Sequence, residues 1–460
     1  MFLLFLILLI IKIYSLSSKI IIPFNTIDPN ITSEEPSIFM YFYFPNIIET
    51  LIKIGTPSQE IPLRIKTLRS PISINSVQMG VINVKRFNES NSSSFISISE
   101  EPQYFGENDF KLAKQAKEIM TFNDNNLVLN NLTFLLGVTD DQYYKEGGVL
   151  GLNIAEFDMR MKEVGFIKQL KERDIINNYI YFIDYNQDND NGNLIIDGLP
   201  HDIYPEKFDK NKYVEFYAEI VSNTLGLSAK EAYYGNILID CEFEIQLAVE
   251  QNFIRGSTSF KTILMENFFK EKIGKRICQK GIFSYIDSEN KEFIYCSKEL
   301  NVSEFNNITF TIDNSDLRIE LTYKDLFYEY KDKYYFMMYF PSQTHSYYFV
   351  LGKKLFQKYT LSFNNDTKQI GYYKQNNNRE GDIGKDEKKN KNNKKEFNIK
   401  DYYLIPWILL GISIIIILIL GLYIGYYKPC RNRAKRANEL KDDDNYYYEE
   451  KFNSNNNNIN

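Results

Sequence analysis

The residues of this chain whose type and spacing carry chemistry are few. Cys278 and Cys296 lie 18 apart and can close a loop in an oxidising compartment, which leaves Cys241 over. Cys430 follows a long apolar run, where a thiol is either open to palmitoylation or simply free, and we take it as free. Asn30, Asn88, Asn91, Asn131, Asn301, Asn307 and Asn365 each begin an Asn-x-Ser/Thr triplet, the acceptor for N-glycosylation. Chance makes many such triplets in an Asn-rich chain, and the Asn tracts themselves are compositional. Asp240 closes the apolar run Ile237-Leu238-Ile239 and places a carboxylate there. We expect no metal site and no cofactor.

Two apolar runs place these residues in a compartment. Residues 2–11 are apolar throughout, too short to span a bilayer and suited to the core of a signal peptide. Ser15, Ser17 and Ser18 follow, so we expect residues 1–17 to be removed, against the alternatives of an uncleaved anchor or a buried strand. Leu404 to Ile424 holds 21 residues without a charge, enough to cross a hydrocarbon core of about 30 Å at 1.5 Å per residue. Tyr402, Tyr403 and Trp407 stand at one end and Tyr423, Tyr426 and Tyr427 at the other, as in interfacial belts. A soluble buried helix seldom stays apolar on every face over this length. Lys428, Arg431, Arg433, Lys435 and Arg436 come next and argue for a cytosolic C-terminus, although lysines also flank the other side. The expectation is a single-pass type I membrane protein of the secretory pathway or cell surface. All seven triplets then lie in the lumenal or extracellular part.

Between these runs stand about 385 residues, enough for one large two-lobed unit or two domains. The net charge is −6 with both signs interspersed, which gives no nucleic-acid signature. The pattern from about Phe42 to Tyr373 is mostly β: Leu51–Ile54, Leu63–Ile65, Asn130–Gly137, Tyr179–Ile183, Asn193–Asp197, Ile308–Ile312 and Phe349–Gly352 read as strands. Helix is expected only at Phe157–Glu172 and at Glu266–Ile273, the latter stopped by Gly274. Residues 376–402 form a polar stalk, 403–425 the span, and 426–460 a disordered tail.

Five stretches in order then become specific. They are Ile54-Gly55-Thr56-Pro57-Ser58-Gln59; Arg86-Phe87-Asn88-Glu89-Ser90-Asn91-Ser92-Ser93-Ser94-Phe95; Gly147-Gly148-Val149-Leu150-Gly151-Leu152; Gly192-Asn193-Leu194-Ile195-Ile196-Asp197-Gly198; and Phe349-Val350-Leu351-Gly352 running on to Ile370-Gly371-Tyr372. Together they resemble the pepsin-like aspartic proteases over about 325 residues. The resemblance implies a mainly β, bilobal fold with a central cleft, a first lobe over 18–205 and a second over 206–375. It also implies that a C-lobe loop is closed by Cys278 and Cys296.

That chemistry needs two carboxylates sharing a proton at the cleft floor, one from a D-T/S-G loop in each lobe. Counting from Ile54 places Lys66 at the first position, followed by Thr67, which in the family's pattern braces one lobe against the other. The second loop aligns as Arg255-Gly256-Ser257-Thr258-Ser259-Phe260, with Arg255 in the aspartate's place. Leu68 and Ser257 then stand where the loops carry glycine. Lysine and arginine are cations at neutral pH and cannot serve as a carboxylate base. If they met about 4 Å apart they would repel by on the order of 4 kcal/mol at an effective dielectric of 20, to be relieved by splaying or by an anion. Asp240 is the runner-up for the second carboxylate, but no Thr, Ser or Gly follows it. Phe105 and Gly106 fall at the flap, where the family carries a tyrosine ahead of the glycine.

The resulting expectation is a pseudoprotease whose cleft binds a peptide, a glycan or a protein partner without cutting it. Two other classes stay open. One is an active membrane-bound aspartic endopeptidase with a non-standard dyad; the other is a surface structural or adhesion protein using the fold as a scaffold.

Overall fold

The computed structural model describes residues 19–27, 47–68, 71–77, 85–99, 101–104, 112–122, 127–138, 147–153, 165–186, 191–221, 224–284, 290–341 and 348–374, all in one compact unit. The signal peptide, stalk, span and tail expected from the sequence lie outside these residues, as do Phe105, Gly106, Asn30 and Cys430. Among the described residues no helix is long and apolar enough to cross a membrane.

The fold is mainly β. Strands form where apolar residues alternate: in Gln59–Lys66, Ile61, Leu63 and Ile65 are buried while Pro62, Arg64 and Lys66 are half-buried. Strands buried at every position are covered on both faces, as in Gly148–Gly151, and in Ile72–Asn75, where Ser73 and Asn75 alternate with the isoleucines. Every strand expected from the sequence is present. The helix expected at Glu266–Ile273 ends at Gly274 but begins earlier, at Thr258, with a π turn at Met265–Phe269. Ser257 starts it, its hydroxyl accepting from the Phe260 N–H. Phe260, Leu264, Phe268 and Phe269 point from that helix into the core.

The described strands form two sheets, one of 14 and one of 12. The larger does not stop at the boundary near residue 205 expected between lobes. Ser362–Asn364 pairs with Ile180–Asn186, and Gln369–Tyr373 pairs with Tyr213–Tyr217, so the end of the second half completes the sheet of the first. One contiguous apolar core runs through both.

Each half repeats one arrangement. In the first, Gln59–Lys66 lies parallel to Gly148–Gly151, with Ile65 beside Leu150 and Lys66 beside Gly151. The chain then returns as Ile72–Asn75 on the other side of that central strand, Ser73 opposite Val149, and runs parallel to Leu127–Gly137. In the second, Ile237–Leu247 lies parallel to Tyr348–Leu351, with Leu247 beside Leu351. The chain returns as Ile254–Arg255, Arg255 opposite Val350, and runs parallel to Met338–Pro341.

Candidate functional site

The repeat fixes which residues correspond. The first strand pairs parallel and the returning strand antiparallel with the same central strand, so one register satisfies both. Ile65 corresponds to Leu247, and Ser73, eight residues on, corresponds to Arg255, eight residues after Leu247. Lys66 therefore corresponds to Ala248, Thr67 to Val249 and Leu68 to Glu250.

Hydrogen bonds between the halves agree. The Thr67 Oγ1 accepts from the Val249 N–H at 3.0 Å. Its single proton serves either the Leu247 carbonyl at 3.0 Å or the Glu250 carboxylate at 2.9 Å. These partners flank Ala248, so the two strand ends meet where Thr67 faces the Leu247–Glu250 loop. Thr67 is the inter-lobe brace expected of it. The reciprocal hydroxyl is missing, because its counterpart is Val249.

Glu250 supplies a different reciprocal contact. One carboxylate oxygen accepts from the Thr67 N–H and the other from the Leu68 N–H, each at 3.0 Å. Two successive backbone amides aimed at one anion form a nest. The loop that carries Glu250 is fixed behind by Gly352: a Cβ there would lie 1.9 Å from the Gln251 carbonyl, so only glycine lets the two backbones approach. The Gln251 carbonyl accepts from the Lys353 N–H at 2.6 Å. Burial pushes the Tyr181 hydroxyl well above the ordinary tyrosine range, with Tyr179 and the Glu250 charge adding to the effect.

Arg255 is not at this floor. It is the counterpart of Ser73, on the returning strand, seven residues beyond the position assigned to it. The sequence match failed for a physical reason: Gly256-Ser257-Thr258 imitates the expected turn but is the cap of the next helix. The expected meeting of two cations is thereby removed. Asp240 is not at the floor either. It lies within the long strand Ile237–Leu247, opposite Ala232, and accepts from the Ser257 hydroxyl at 3.3 Å. Glu250 escaped the sequence reading because nothing in a local motif marks a glutamate that bonds across 183 residues.

The opening hairpin is held as its sequence suggested. The Thr56 N–H donates to Ser92 Oγ at 2.9 Å, and Gln59 exchanges two hydrogen bonds with the Asn88 backbone. Buried Glu118 accepts from the Ser92 hydroxyl at 2.7 Å. A cavity of about 750 Å³ lined by Asn25, Asp184, Asn191, Tyr204 and Lys207 takes in no residue of the floor. Among the described residues no cluster of three or more His, Cys, Asp or Glu is placed to hold a metal.

The disulfide joins Cys278 to Cys296, which face each other across the hairpin of Cys278–Ser284 and Asn290–Ser297. Cys241 is free and exposed. Asn91, Asn131 and Asn301 are exposed, and Asn88 and Asn307 are half-buried. Asn365 is 5% exposed with its side-chain nitrogen enclosed, so a glycan there does not fit this fold.

The family model for eukaryotic aspartyl protease matches residues 49–375. The chain belongs to the eukaryotic aspartyl protease family. No curated protein matches the sequence. In this aspartyl protease homologue the paired strand ends carry an ammonium and a methyl group, at Lys66 and Ala248. Those two side chains cannot share a proton between carboxylates.

Proposed function

We propose that this protein is a non-cleaving member of the aspartyl protease family, anchored in a membrane by residues 403–425, whose cleft holds a polypeptide or glycan partner. The observation that carries the reading is the correspondence of Lys66 with Ala248 at the two strand ends. A water there meets no carboxylate base at either position, and the Glu250 carboxylate nearby is engaged by the Thr67 and Leu68 amides. The Thr67 brace between the halves is kept, so the scaffold is retained where the chemistry is not. The apolar runs at residues 2–11 and 404–424, with the Asn-x-Ser/Thr triplets between them, support lumenal or extracellular exposure.

Incubating the detergent-solubilised full chain with a broad peptide library at acid and neutral pH tests the catalytic part of the reading. The expected result is no cleavage. Turnover that a pepstatin-type inhibitor blocks would assign the protein to active endopeptidases instead. An N-glycanase mobility shift, with retention of the chain in carbonate-washed membranes, tests the topology.

A further inference from the structure

The floor of the cleft already contains a bound carboxylate, and it belongs to the protein itself. Glu250 lies in a nest made by the Thr67 N–H, the Leu68 N–H and the Thr67 hydroxyl, with contacts of 2.9 to 3.0 Å. Such a set of donors recognises a carboxylate whatever chain carries it, because backbone amides and a hydroxyl offer charge-assisted hydrogen bonds to any planar anion. Lys66, half-buried, immediately precedes the nest in the chain. We propose that Lys66-Thr67-Leu68 is a carboxylate-binding site that Glu250 occupies from within, and that a carboxylate on a cleft ligand takes the site by exchange with Glu250.

Two features make exchange feasible. Glu250 is half-buried, so its carboxylate can turn towards water on leaving. The brace between the halves does not depend on it: Thr67 Oγ1 keeps the Val249 N–H and the Leu247 carbonyl when Glu250 departs. An internal ligand competes at high effective concentration, so the resting protein should bind free carboxylates weakly. The ligand class follows: an acidic side chain or a C-terminal carboxylate is admitted, and an uncharged group does not displace Glu250. This extends the ligand-holding reading of the cleft, but its test does not depend on whether peptides are cleaved.

The test uses formate as the probe, with the full chain in detergent and chloride at matched ionic strength as the control. Removing the internal competitor by Glu250→Ala should tighten formate binding at least about tenfold, read by calorimetry or by NMR line broadening of labelled formate. It should also lower Tm by roughly 1–4 °C, with formate recovering about half of the loss. Adding Thr67→Val to Glu250→Ala removes the hydroxyl and leaves the two amides, so both effects of formate should weaken without vanishing. If Glu250→Ala is recovered unfolded, formate in the refolding buffer should raise the folded fraction. Equal formate binding by the native protein and Glu250→Ala overturns the proposal, as does the absence of any binding or rescue in Glu250→Ala.

Discussion

Arg255 occupies in the second half the position that Ser73 occupies in the first, for Arg255 lies opposite Val350 as Ser73 lies opposite Val149. The residue that answers to Lys66 is therefore Ala248. This separates two double substitutions that look alike on paper. With Lys66→Asp and Ala248→Asp, two carboxylates meet, and one should titrate at least about one pH unit above an ordinary aspartate because like charges resist joint ionisation. With Lys66→Asp and Arg255→Asp, the two should titrate independently. Carboxyl-carbon NMR of labelled aspartate reads the difference, and a coupled titration in the second variant would refute the correspondence.

Thr67→Val should destabilise the protein and Thr67→Ser should not. Valine matches the threonine's shape but leaves the Val249 N–H and one Glu250 oxygen without their hydroxyl partner. An unmet buried donor costs about 1–3 kcal/mol, which lowers Tm by roughly 1–4 °C in a folded unit of this size. Thermal unfolding of both variants checks this; equal Tm values would show that the brace is dispensable.

Breaking the disulfide by Cys278→Ser with Cys296→Ser should cost about 3 kcal/mol in the chain-entropy account, given the separation of 18 residues. Cys241→Ser should leave Tm unchanged, since that thiol is exposed and unbridged. Thermal melts with and without reductant should therefore separate in the native chain and coincide in the double variant.

Glu292 gives a dependence on acid. Burial raises its pKa, but Lys261 and Lys280 outweigh that and hold it below the ordinary glutamate value. A carboxyl lowered on folding contributes its stability above the unfolded pKa and loses it as pH falls through the lower, folded value. Glu292→Gln should thus melt below the native protein at neutral pH, and the gap should close in acid. A gap that widens on acidification would reverse the sign and sink the assignment.

Glycan occupancy should follow exposure. Asn91, Asn131 and Asn301 are open to solvent, and Asn365 is enclosed. Peptide mapping after N-glycanase in heavy-oxygen water should label the first three and leave Asn365 unlabelled. A glycan on Asn365 in folded protein would contradict the packing of that turn.

Strand pattern and family were legible in the sequence alone, and the family resemblance in turn implied the Cys278–Cys296 bridge. Pattern and family rest on short-range signals: alternation in Gln59–Lys66, Leu-Gly strand ends at Leu150-Gly151 and Leu351-Gly352, and Thr67 at its proper count from Ile54. Lys66 was legible for the same reason, because the hairpin before it is intact and fixes the count. Its counterpart was not legible. The loop Ala248-Val249-Glu250 has lost every residue of the motif, so local matching slid to Ser257, where a helix cap imitates the turn. Only strand register could place Ala248, since register is set by backbone pairing and survives the loss of the side chains. Glu250 needed the tertiary structure altogether: its role exists only because folding brings a carboxylate from one half onto two amides of the other, a contact that no periodicity or spacing encodes.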